Sequence, residues 1–495
     1  MKAKKFSIFL LTTLMMLFAL PLGAFAATRT VTPTSTASIT IENALPTDEL
    51  SAYKVLDITY NDATNSLSYA WNSDFADYFA GTTSFNANAY TVEAFAALAD
   101  DSDALKDLLA NLPNYIATRA IAPVATQTVA ADGNATFADL AMGEYFIRPT
   151  ATTSVYQLML QKIEPTIENS AYVIDDVTFT AKKEEVNVTK TADKTSVTKN
   201  EKVTYTITVD VPTYPANATD RTFSVSDLLP DGLTLDTASI NIKADGTPVD
   251  AAAYTLATTA TAEYTFKLSV DNAQYTDNWT AYGGKQLVIT YTATLNDDDT
   301  TEVNVQETNT ATFDYSNYPY IENSHKQKSD TVDVTTFAIK IDKYADGDTG
   351  TKLANAKFDL YRTATQEEVD GGKAVTIPHT SVNGVKLEGD LATDSNGAAQ
   401  FAKYEANGTK YDYYLVETRA PAGYNILDKA IKVNFTDAEV EATAGIYTVK
   451  VPNSSGIKLP ITGAAGTVIF TVIGIVLMAA AVLLLVFSRK KTKAK

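Results

Sequence analysis

Three polar residues in the C-terminal part of the chain fall on the apolar faces of predicted strands. Residues two apart on a strand point to the same side of a sheet, so the spacing shows which face each residue occupies. By this rule Lys343, Glu417 and Asn453 point inward with the hydrophobic residues of their strands. The apolar residues that share these faces are Phe337, Ile339, Ile341, Tyr413, Leu415, Tyr447, Val449 and Val451. A lysine, a glutamate and an asparagine are therefore predicted inside one core.

Burial would change the chemistry of these three groups. Because a buried charge is costly, burial favours the neutral amine of Lys343 and the protonated acid of Glu417. A neutral amine can attack the carboxamide carbon of Asn453 while the acid polarises the carbonyl and shuttles protons. Ammonia then leaves, and a Lys–Asn isopeptide bond remains. The alternative is a hydrogen-bonded Glu–Lys pair that never reacts. Lys340, on the opposite face, is the second candidate nucleophile.

A second set of the same kind lies in the middle of the chain. Lys190, Asp227 and Asn309 each share a strand face with apolar neighbours. These neighbours are Val186, Val188, Phe223, Val225, Ala311 and Phe313. Lysine and asparagine supply the same reacting pair, whereas Asp227 also fits a structural aspartate at a strand end. The N-terminal part of the chain shows no comparable set, so no bond is predicted there.

The elements that must position these residues are β-strands. Val, Ile, Thr, Tyr and Phe alternate with period two and are interrupted by Asp-Gly, Asn-Gly and Pro. This pattern predicts an all-β fold of three tandem Ig-like β-sandwich domains, which we place at 27–180, 181–335 and 336–455. One exception is the segment from Thr91 to Leu112, whose apolar spacing predicts one or two amphipathic helices inserted in the first domain.

Both ends of the chain carry predicted targeting segments. Residues 1–26 combine lysines, an apolar stretch and a final Ala-Phe-Ala, which is typical of a secretory signal peptide. In the region 456–495, residues 464–488 are uncharged and long enough for a helix to span a bilayer, and a basic tail follows. The five residues before this apolar run are Leu459, Pro460, Ile461, Thr462 and Gly463. A simple membrane-anchored ectodomain is the alternative interpretation.

Composition argues against several classes of protein. The 495 residues include no cysteine, so disulfides cannot reinforce an exported fold. The net charge of −19 disfavours nucleic-acid binding. His325 and His379 lie in polar, loop-like surroundings and are predicted to be solvated, and no Ser/His/Asp or Cys/His arrangement can be built around them. We therefore predict no enzyme, no cofactor and no metal. The aspartates at 297–299 and 346–350 fit solvated turns better than calcium sites.

Three motifs carry a resemblance to a known family. Residues 459–463 resemble the LPXTG sorting signal of Gram-positive surface proteins. Residues 414–424 resemble the E-box, YxLxETxAPxGY, of Cna B-type domains, and residues 226–234 resemble the DxLPxGL turn in the middle domain of backbone pilins. The chain thus resembles the major, or backbone, pilins of sortase-assembled Gram-positive pili.

The resemblance implies roles for both buried sets. In that family a Glu of the E-box and an Asp of the middle domain catalyse isopeptide formation, which implies that Glu417 and Asp227 are the catalysts here. The implied bonds are Lys343–Asn453 and Lys190–Asn309.

The resemblance also implies how subunits are joined. A sortase would cut between Thr462 and Gly463, and a lysine of the next subunit would take over the threonine acyl group. The family's usual YPK-like motif is missing here. Lys182 has outward parity and lies shortly before the strand of the middle lysine, so we select it, with Lys183 second. Solvated linker charges are the alternative interpretation of both.

Taken together, these features imply a structural shaft subunit of a covalent surface pilus that is finally attached to peptidoglycan and supports adhesion. The implied partners are pilus-specific and housekeeping sortases, identical subunits and ancillary pilins, with membrane contact only before sorting. The alternatives are a monomeric wall-anchored adhesin and an ancillary pilin.

Overall fold

The computed structural model describes residues 29–99, 102–297, 305–408, 410–456 and 464–491. The predicted signal peptide and the pentapeptide 459–463 lie outside these residues. Strands dominate the described chain and helices are few, so the predicted all-β class is confirmed. The described residues form two compact units, one of 29–297 with 306–334 and one from 335 onward. The predicted division into three domains stays a prediction.

The N-terminal part of the first unit consists of short antiparallel and parallel sheets. Its strands are β1 (Arg29–Thr30), β2 (Thr36–Glu42), β3 (Glu49–Asn61), β4 (Ser66–Trp71), β5 (Ala125–Thr128), β6 (Ala135–Ala141), β7 (Gly143–Ala151), β8 (Val155–Tyr156), β9 (Met159–Ile163), β10 (Thr166–Glu168), β11 (Ala171–Ile174), β12 (Val177–Thr180) and β13 (Lys183–Glu184). The largest sheet has the order β4-β3-β7-β9, with β5 also paired to β3. β12 runs parallel to β2, and β13 pairs with β8.

Helices cover one side of this part. They are α1 (Ala76–Phe79), α2 (Val92–Ala96), α3 (Asp103–Ala110) and α4 (Leu112–Arg119). The hydroxyls of Thr91 and Ser102 accept hydrogen bonds from backbone N–H groups and so begin α2 and α3. The predicted helical segment is therefore present, while α1 and α4 extend the helical region beyond it. The Trp71 and Phe79 rings stack at 3.8 Å in the core beneath these helices.

The second part of the first unit is a sandwich of two sheets. Its strands are β14 (Val188–Ala192), β15 (Lys202–Asp210), β16 (Phe223–Leu228), β17 (Leu233–Ala244), β18 (Thr247–Pro248), β19 (Thr255–Ala257), β20 (Phe266–Val270), β21 (Gln286–Leu295), β22 (Val305–Ser316) and the start of β23 (His325–Ala345). Between them lie α5 (Asn272–Gln274), 3₁₀ turns at Ala251–Ala253 and Thr280–Tyr282, and a π-helical turn at Tyr275–Trp279. One sheet has the order β14-β15-β21-β17-β18, and the other contains β19-β20-β16-β22. Apolar side chains from both sheets meet in one core.

The second unit contains the later part of β23 and a further sandwich. Its remaining elements are β24 (Asp348–Lys352), β25 (Lys357–Thr363), α6 (Gln366–Asp370), β26 (Val375–Thr376), β27 (Asn383–Ala392), β28 (Ala398–Tyr404), β29 (Tyr413–Arg419), β30 (Ile431–Val433), α7 (Asp437–Glu441) and β31 (Ile446–Asn453). β23 pairs antiparallel with β28 and parallel with β31. The other sheet has the order β26-β27-β25-β29-β30.

The predicted apolar C-terminal run forms helix α8 (Ala464–Lys491). Side chains of this helix are described for 471–484. Across the residues that the structure describes, no helix has both the length and the apolar character that a bilayer crossing requires. The predicted membrane crossing stays a prediction.

Candidate functional site

The C-terminal set of polar residues lies inside the second unit. Strand β23 carries Lys343, β29 of the facing sheet carries Glu417, and β31 ends at Asn453. The side chains of Lys343 and Glu417 are completely buried, and Asn453 is 1% exposed. Parity on three strands thus predicted the positions of all three residues correctly.

The contacts within this set join all three functional groups. The Lys343 Nζ donates to Asn453 Oδ1 and lies 3.2 Å from Glu417 Oε1. The Asn453 Nδ2 donates to both Glu417 oxygens, at 2.8 and 3.1 Å. The Leu427 N–H donates to Glu417 Oε2 at 2.8 Å and fixes the carboxyl group. One acid therefore contacts both the amine and the amide nitrogen.

The surroundings favour an uncharged amine. Burial lowers the pKa of the Lys343 ammonium, and the charge of Glu417 opposes part of that shift. Gly397 helps to hold the lysine in place, since its carbonyl accepts from the Lys343 N–H at 2.8 Å. A Cβ at Gly397, where φ is +71°, would lie 2.2 Å from the Lys343 carbonyl oxygen, so the close approach of these two segments needs glycine.

The middle set lies between the two sheets of the first unit's sandwich. Lys190 is on β14 of one sheet, while Asp227 on β16 and Asn309 on β22 belong to the other. Lys190 is 4% exposed, and the other two are fully buried. The Lys190 Nζ donates to Asp227 Oδ2. Because β23 follows β22, Asn309 lies on the next-to-last strand of this sandwich.

The electrostatics of the middle set resemble those of the C-terminal set. Burial lowers the pKa of the Lys190 ammonium, and Asp227 opposes that shift. Burial raises the pKa of the Asp227 carboxyl, and Lys190 opposes that shift in turn. Desolvation therefore drives both groups toward their neutral forms.

Two tyrosines of the middle site were missed in the sequence. The hydroxyl of Tyr291 on β21 lies 2.8 Å from Lys190 Nζ, from Asp227 Oδ1 and from Asn309 Nδ2. Tyr205 on β15 stacks on Tyr291 with ring centroids 5.4 Å apart. The available signal was parity, because Tyr291 shares the inward face of its strand with hydrophobic neighbours. Parity alone does not show which inward phenol reaches the lysine.

A more exposed trio in the N-terminal part offers a contrast. The Lys54 Nζ lies 2.7 Å from Asp57 Oδ1, and Asn72 Nδ2 donates to Asp57 Oδ2 at 3.4 Å. The Asp57 side chain is 38% exposed. This ion pair is therefore open to solvent, unlike the two buried sets. The prediction of no bond in the N-terminal domain stays a prediction.

The two lysines considered for joining subunits differ in their surroundings. Lys182 lines an open groove together with Lys183, Asn43, Gln157 and Thr213. It is half-buried, and its ammonium has no hydrogen-bond or ion-pair partner among the residues that the structure describes. The side chain of Lys183 is only 11% exposed, and its Nζ lies 2.6 Å from Glu185 Oε1. The threonine predicted to join Lys182, Thr462, lies outside the described residues.

The prediction that His325 is solvated is wrong. Its Nδ1 lies 2.5 Å from Asp314 Oδ1 and its Nε2 lies 3.2 Å from Asp220 Oδ2, and the side chain is 28% exposed. The hydrogen bonds to Asp220 and Asp314 raise the pKa of His325 to about 9. The local sequence is polar, but Asp220 lies about a hundred residues away along the chain, so local reading could not reveal the pairing. His379 is exposed, as predicted.

The His325 ion pairs predict a pH-dependent stability of the first unit. Because the folded pKa exceeds the usual 6.5, the contribution is complete below about pH 6.5 and is lost as pH rises through about 9. We expect His325→Gln to destabilise the protein by about 2 kcal/mol at pH 6, with the deficit shrinking toward pH 10. Thermal denaturation across this range measures it. The matched control is His379→Gln, and an equal deficit in both variants at every pH would contradict the assignment.

These features define a class of protein: an all-β chain of Ig-like sandwiches with Lys–acid–Asn sets in two of its cores. Comparisons with known proteins then show which families this chain resembles. Residues 337–449 match the SpaA family, described as a prealbumin-like fold domain, and residues 451–493 match the LPXTG cell wall anchor motif.

A curated relative and solved structures agree with these matches. The chain is 25% identical over 333 residues to fimbrial subunit type 1 of Actinomyces viscosus, an alignment that covers 59% of this chain and 62% of the relative's length. A backbone pilin of Streptococcus pyogenes with three domains has a TM-score of 0.59 at 17% identity, covering 85% of this chain and 99% of that one. The full-length major pilin SpaD of Corynebacterium diphtheriae has a TM-score of 0.55 at 17% identity, covering 86% and 99%.

These findings confirm the resemblance that the sequence predicted. The solved structures show a shared fold, and the domain match, the anchor motif and the fimbrial relative show that this chain is similar to pilus subunits and carries an LPXTG anchor motif. The anchor motif and the relative also support a cell-wall-anchored position at the surface.

Proposed function

We propose that this protein is the shaft-forming subunit of a covalently polymerised surface pilus. The observation that supports it most is the connection between the C-terminal site and the anchor. Asn453 ends β31 within the region that matches the cell wall anchor motif, and it contacts Lys343 on the parallel neighbour β23. Tension applied at the anchor therefore reaches Asn453 after only the few hydrogen bonds that hold 454–456 to Tyr424 and Asn425.

A Lys343–Asn453 amide would pass that tension directly to β23. The 109 residues between the two ends of the bond would then carry no load, since the covalent path avoids them. A sandwich held only by hydrogen bonds would instead unfold under tension. A sandwich fold does not itself require three buried polar residues. Resistance to lasting tension would give this set a function.

The chemistry of the bond follows from the contacts. Glu417 takes a proton from Lys343, and the neutral Nζ attacks the carboxamide carbon of Asn453. The C–N bond to Nζ forms, the bond to Nδ2 breaks, and Glu417 passes a proton from the attacking nitrogen to the departing one. Ammonia leaves, and burial supplies the low polarity that favours the neutral amine at the start. The reaction is a single event within the chain, so the protein is not an enzyme in the turnover sense.

The middle bond would have a different mechanical effect. A Lys190–Asn309 amide would join β14 to β22 and would therefore connect the two facing sheets of one sandwich. Sliding of one sheet over the other is the motion that such a bond prevents.

Polymerisation would use Lys182, one of the two lysines that line the open groove. Among the described residues the half-buried Lys182 ammonium has no hydrogen-bond or ion-pair partner, whereas the Lys183 ammonium pairs with Glu185. A pilus sortase would form the Thr462 acyl intermediate, and Lys182 of another copy would receive it. A housekeeping sortase would finally transfer the polymer to peptidoglycan, and ancillary pilins would be added by the same chemistry.

Polymerisation is tested in cells that express the full chain with its sortase. We expect wild type to give a ladder of polymers that resist sodium dodecyl sulfate, and Lys182→Ala to give one band. Lys183→Ala is the matched control and should keep the ladder. A single band for the wild type would indicate the monomeric adhesin instead, and a ladder lost only in the Lys183 variant would move the linkage to that residue.

A further inference from the structure

We propose that Tyr291 is a catalytic residue of isopeptide formation in the middle domain, where it relays a proton between Asp227 and the departing nitrogen of Asn309. This inference rests on the proposed Lys190–Asn309 bond and adds a residue to that reaction. It is suggested by a difference between the two buried sites.

The acids of the two sites differ in side-chain length and in which reacting groups they contact. In the C-terminal site the Glu417 carboxyl contacts both Lys343 Nζ and Asn453 Nδ2 directly. In the middle site the acid is an aspartate, which is one methylene shorter. Among the described residues no hydrogen bond joins Asp227 to Asn309, so this acid contacts the amine but does not reach the amide.

The Tyr291 hydroxyl closes this gap. It donates to Asp227 Oδ1 at 2.8 Å and accepts from Asn309 Nδ2 at the same distance. Lys190 Nζ also donates to it at 2.8 Å. One phenol therefore touches the nucleophile, the acid and the leaving nitrogen. In the described part of the C-terminal site, the side chains of the three reacting residues bond only to each other and to the Leu427 N–H.

The phenol is held in the form that a relay needs. Tyr291 is 1% exposed, and burial together with the neighbouring Asp227 charge keeps the pKa of its hydroxyl well above the usual value, so the proton stays on the oxygen. The ring is fixed between Tyr205, at 5.4 Å, and Phe266, at 5.1 Å. Little motion is required for the hydroxyl to switch its donated hydrogen bond from Asp227 to Asn309.

The proton transfers balance as follows. Lys190 first gives a proton to Asp227, and its neutral Nζ attacks the Asn309 carboxamide carbon to form a tetrahedral adduct. Tyr291 then gives its proton to Nδ2 and takes the proton of Asp227, while Asp227 takes one from the attacking Nζ. The bond to Nδ2 breaks and ammonia leaves. The products are the amide, a protonated Asp227 and an unchanged Tyr291.

The test follows bond formation in the full chain by pulsed isotope labelling, protease digestion and mass spectrometry of the linked peptides that carry Lys190 and Asn309. We expect Tyr291→Phe to slow this linkage about 100-fold, which is at the lower end of what general acid–base catalysis contributes. The phenyl ring preserves the packing, so the domain should still fold. Tyr275→Phe is the matched control, because Tyr275 is buried in the same core and the hydrogen bonds described for its hydroxyl are to Pro212 and Tyr214 and not to the three reacting residues, and it should link at the wild-type rate.

A rescue variant separates catalysis from folding. If Tyr291 bridges the distance between the Asp227 carboxyl and the Asn309 amide, then Asp227→Glu in the Tyr291→Phe background should recover much of the linkage rate. The longer acid can contact the amide itself. Linkage at the wild-type rate in Tyr291→Phe alone would overturn the relay while leaving the proposed bond intact. Slow linkage that the longer acid does not improve would also overturn it. A wild-type chain without any Lys190–Asn309 peptide would instead refute the proposed bond.

Discussion

The Glu417→Gln variant should keep Lys343 and Asn453 unlinked and should destabilise the second unit by about 4 to 5 kcal/mol. The size follows from the closed loop, because the linked residues are 110 apart and a crosslink over about 100 residues removes about that much loop entropy from the unfolded chain. Glutamine retains the shape of the side chain but cannot accept the lysine proton. Denaturant unfolding of the full chain, with mass spectrometry to count the ammonia lost, measures both effects.

The control for this variant is Glu367→Gln. Glu367 is an exposed glutamate of the same unit, on α6, so the same chemical change occurs without touching the buried set. It should leave the bond and the stability as they are. A linked Lys343–Asn453 peptide in the Glu417→Gln variant would show that Glu417 is not the catalyst.

Under force, the Lys343→Ala variant should unfold and extend in the segment between residues 343 and 453, which should stay folded in the wild type. Stretching the protein between its ends by single-molecule methods should pull the wild type through the amide and leave the enclosed segment folded. Without the amide, unfolding should release the 110-residue segment, which extends by roughly 370 Å at about 3.4 Å per residue. This prediction concerns the mechanical role itself.

Lys340→Ala serves as the control for the pulling experiment. It removes a lysine from the same strand, but from the opposite face, and Lys340 is the other nucleophile that the sequence allowed. Its trace should match the wild type. If the extra length appeared with Lys340→Ala and not with Lys343→Ala, the nucleophile would be the outer lysine.

The buried sets were predictable from the sequence because the signal is local. Side-chain parity along one strand decides whether a residue points inward, and Lys343 and Asn309 each follow that rule within a few positions. The all-β class follows from the same alternation. Neither prediction needs to know which strands become neighbours.

What the sequence did not reveal depends on contacts between distant strands. Tyr291 reaches Lys190 only because β21 and β14 both flank β15, and His325 meets Asp220 only through tertiary packing. The position of Asn309 on the next-to-last strand depends on where β23 continues. Helix α4 was missed because its Pro113 and Asn114 interrupt the apolar periodicity at its start.

The parallel pairing of β23 with β31 has a consequence for biogenesis. A chain exported from its N-terminus delivers Lys343 to the outside long before Asn453, and the two can meet only when the last strand of the unit has emerged and docked. Formation of the amide would therefore show that the whole unit has been translocated. A polypeptide that stalls during export or is cleaved early would lack the amide. Surface proteases would therefore be able to distinguish it from a complete subunit.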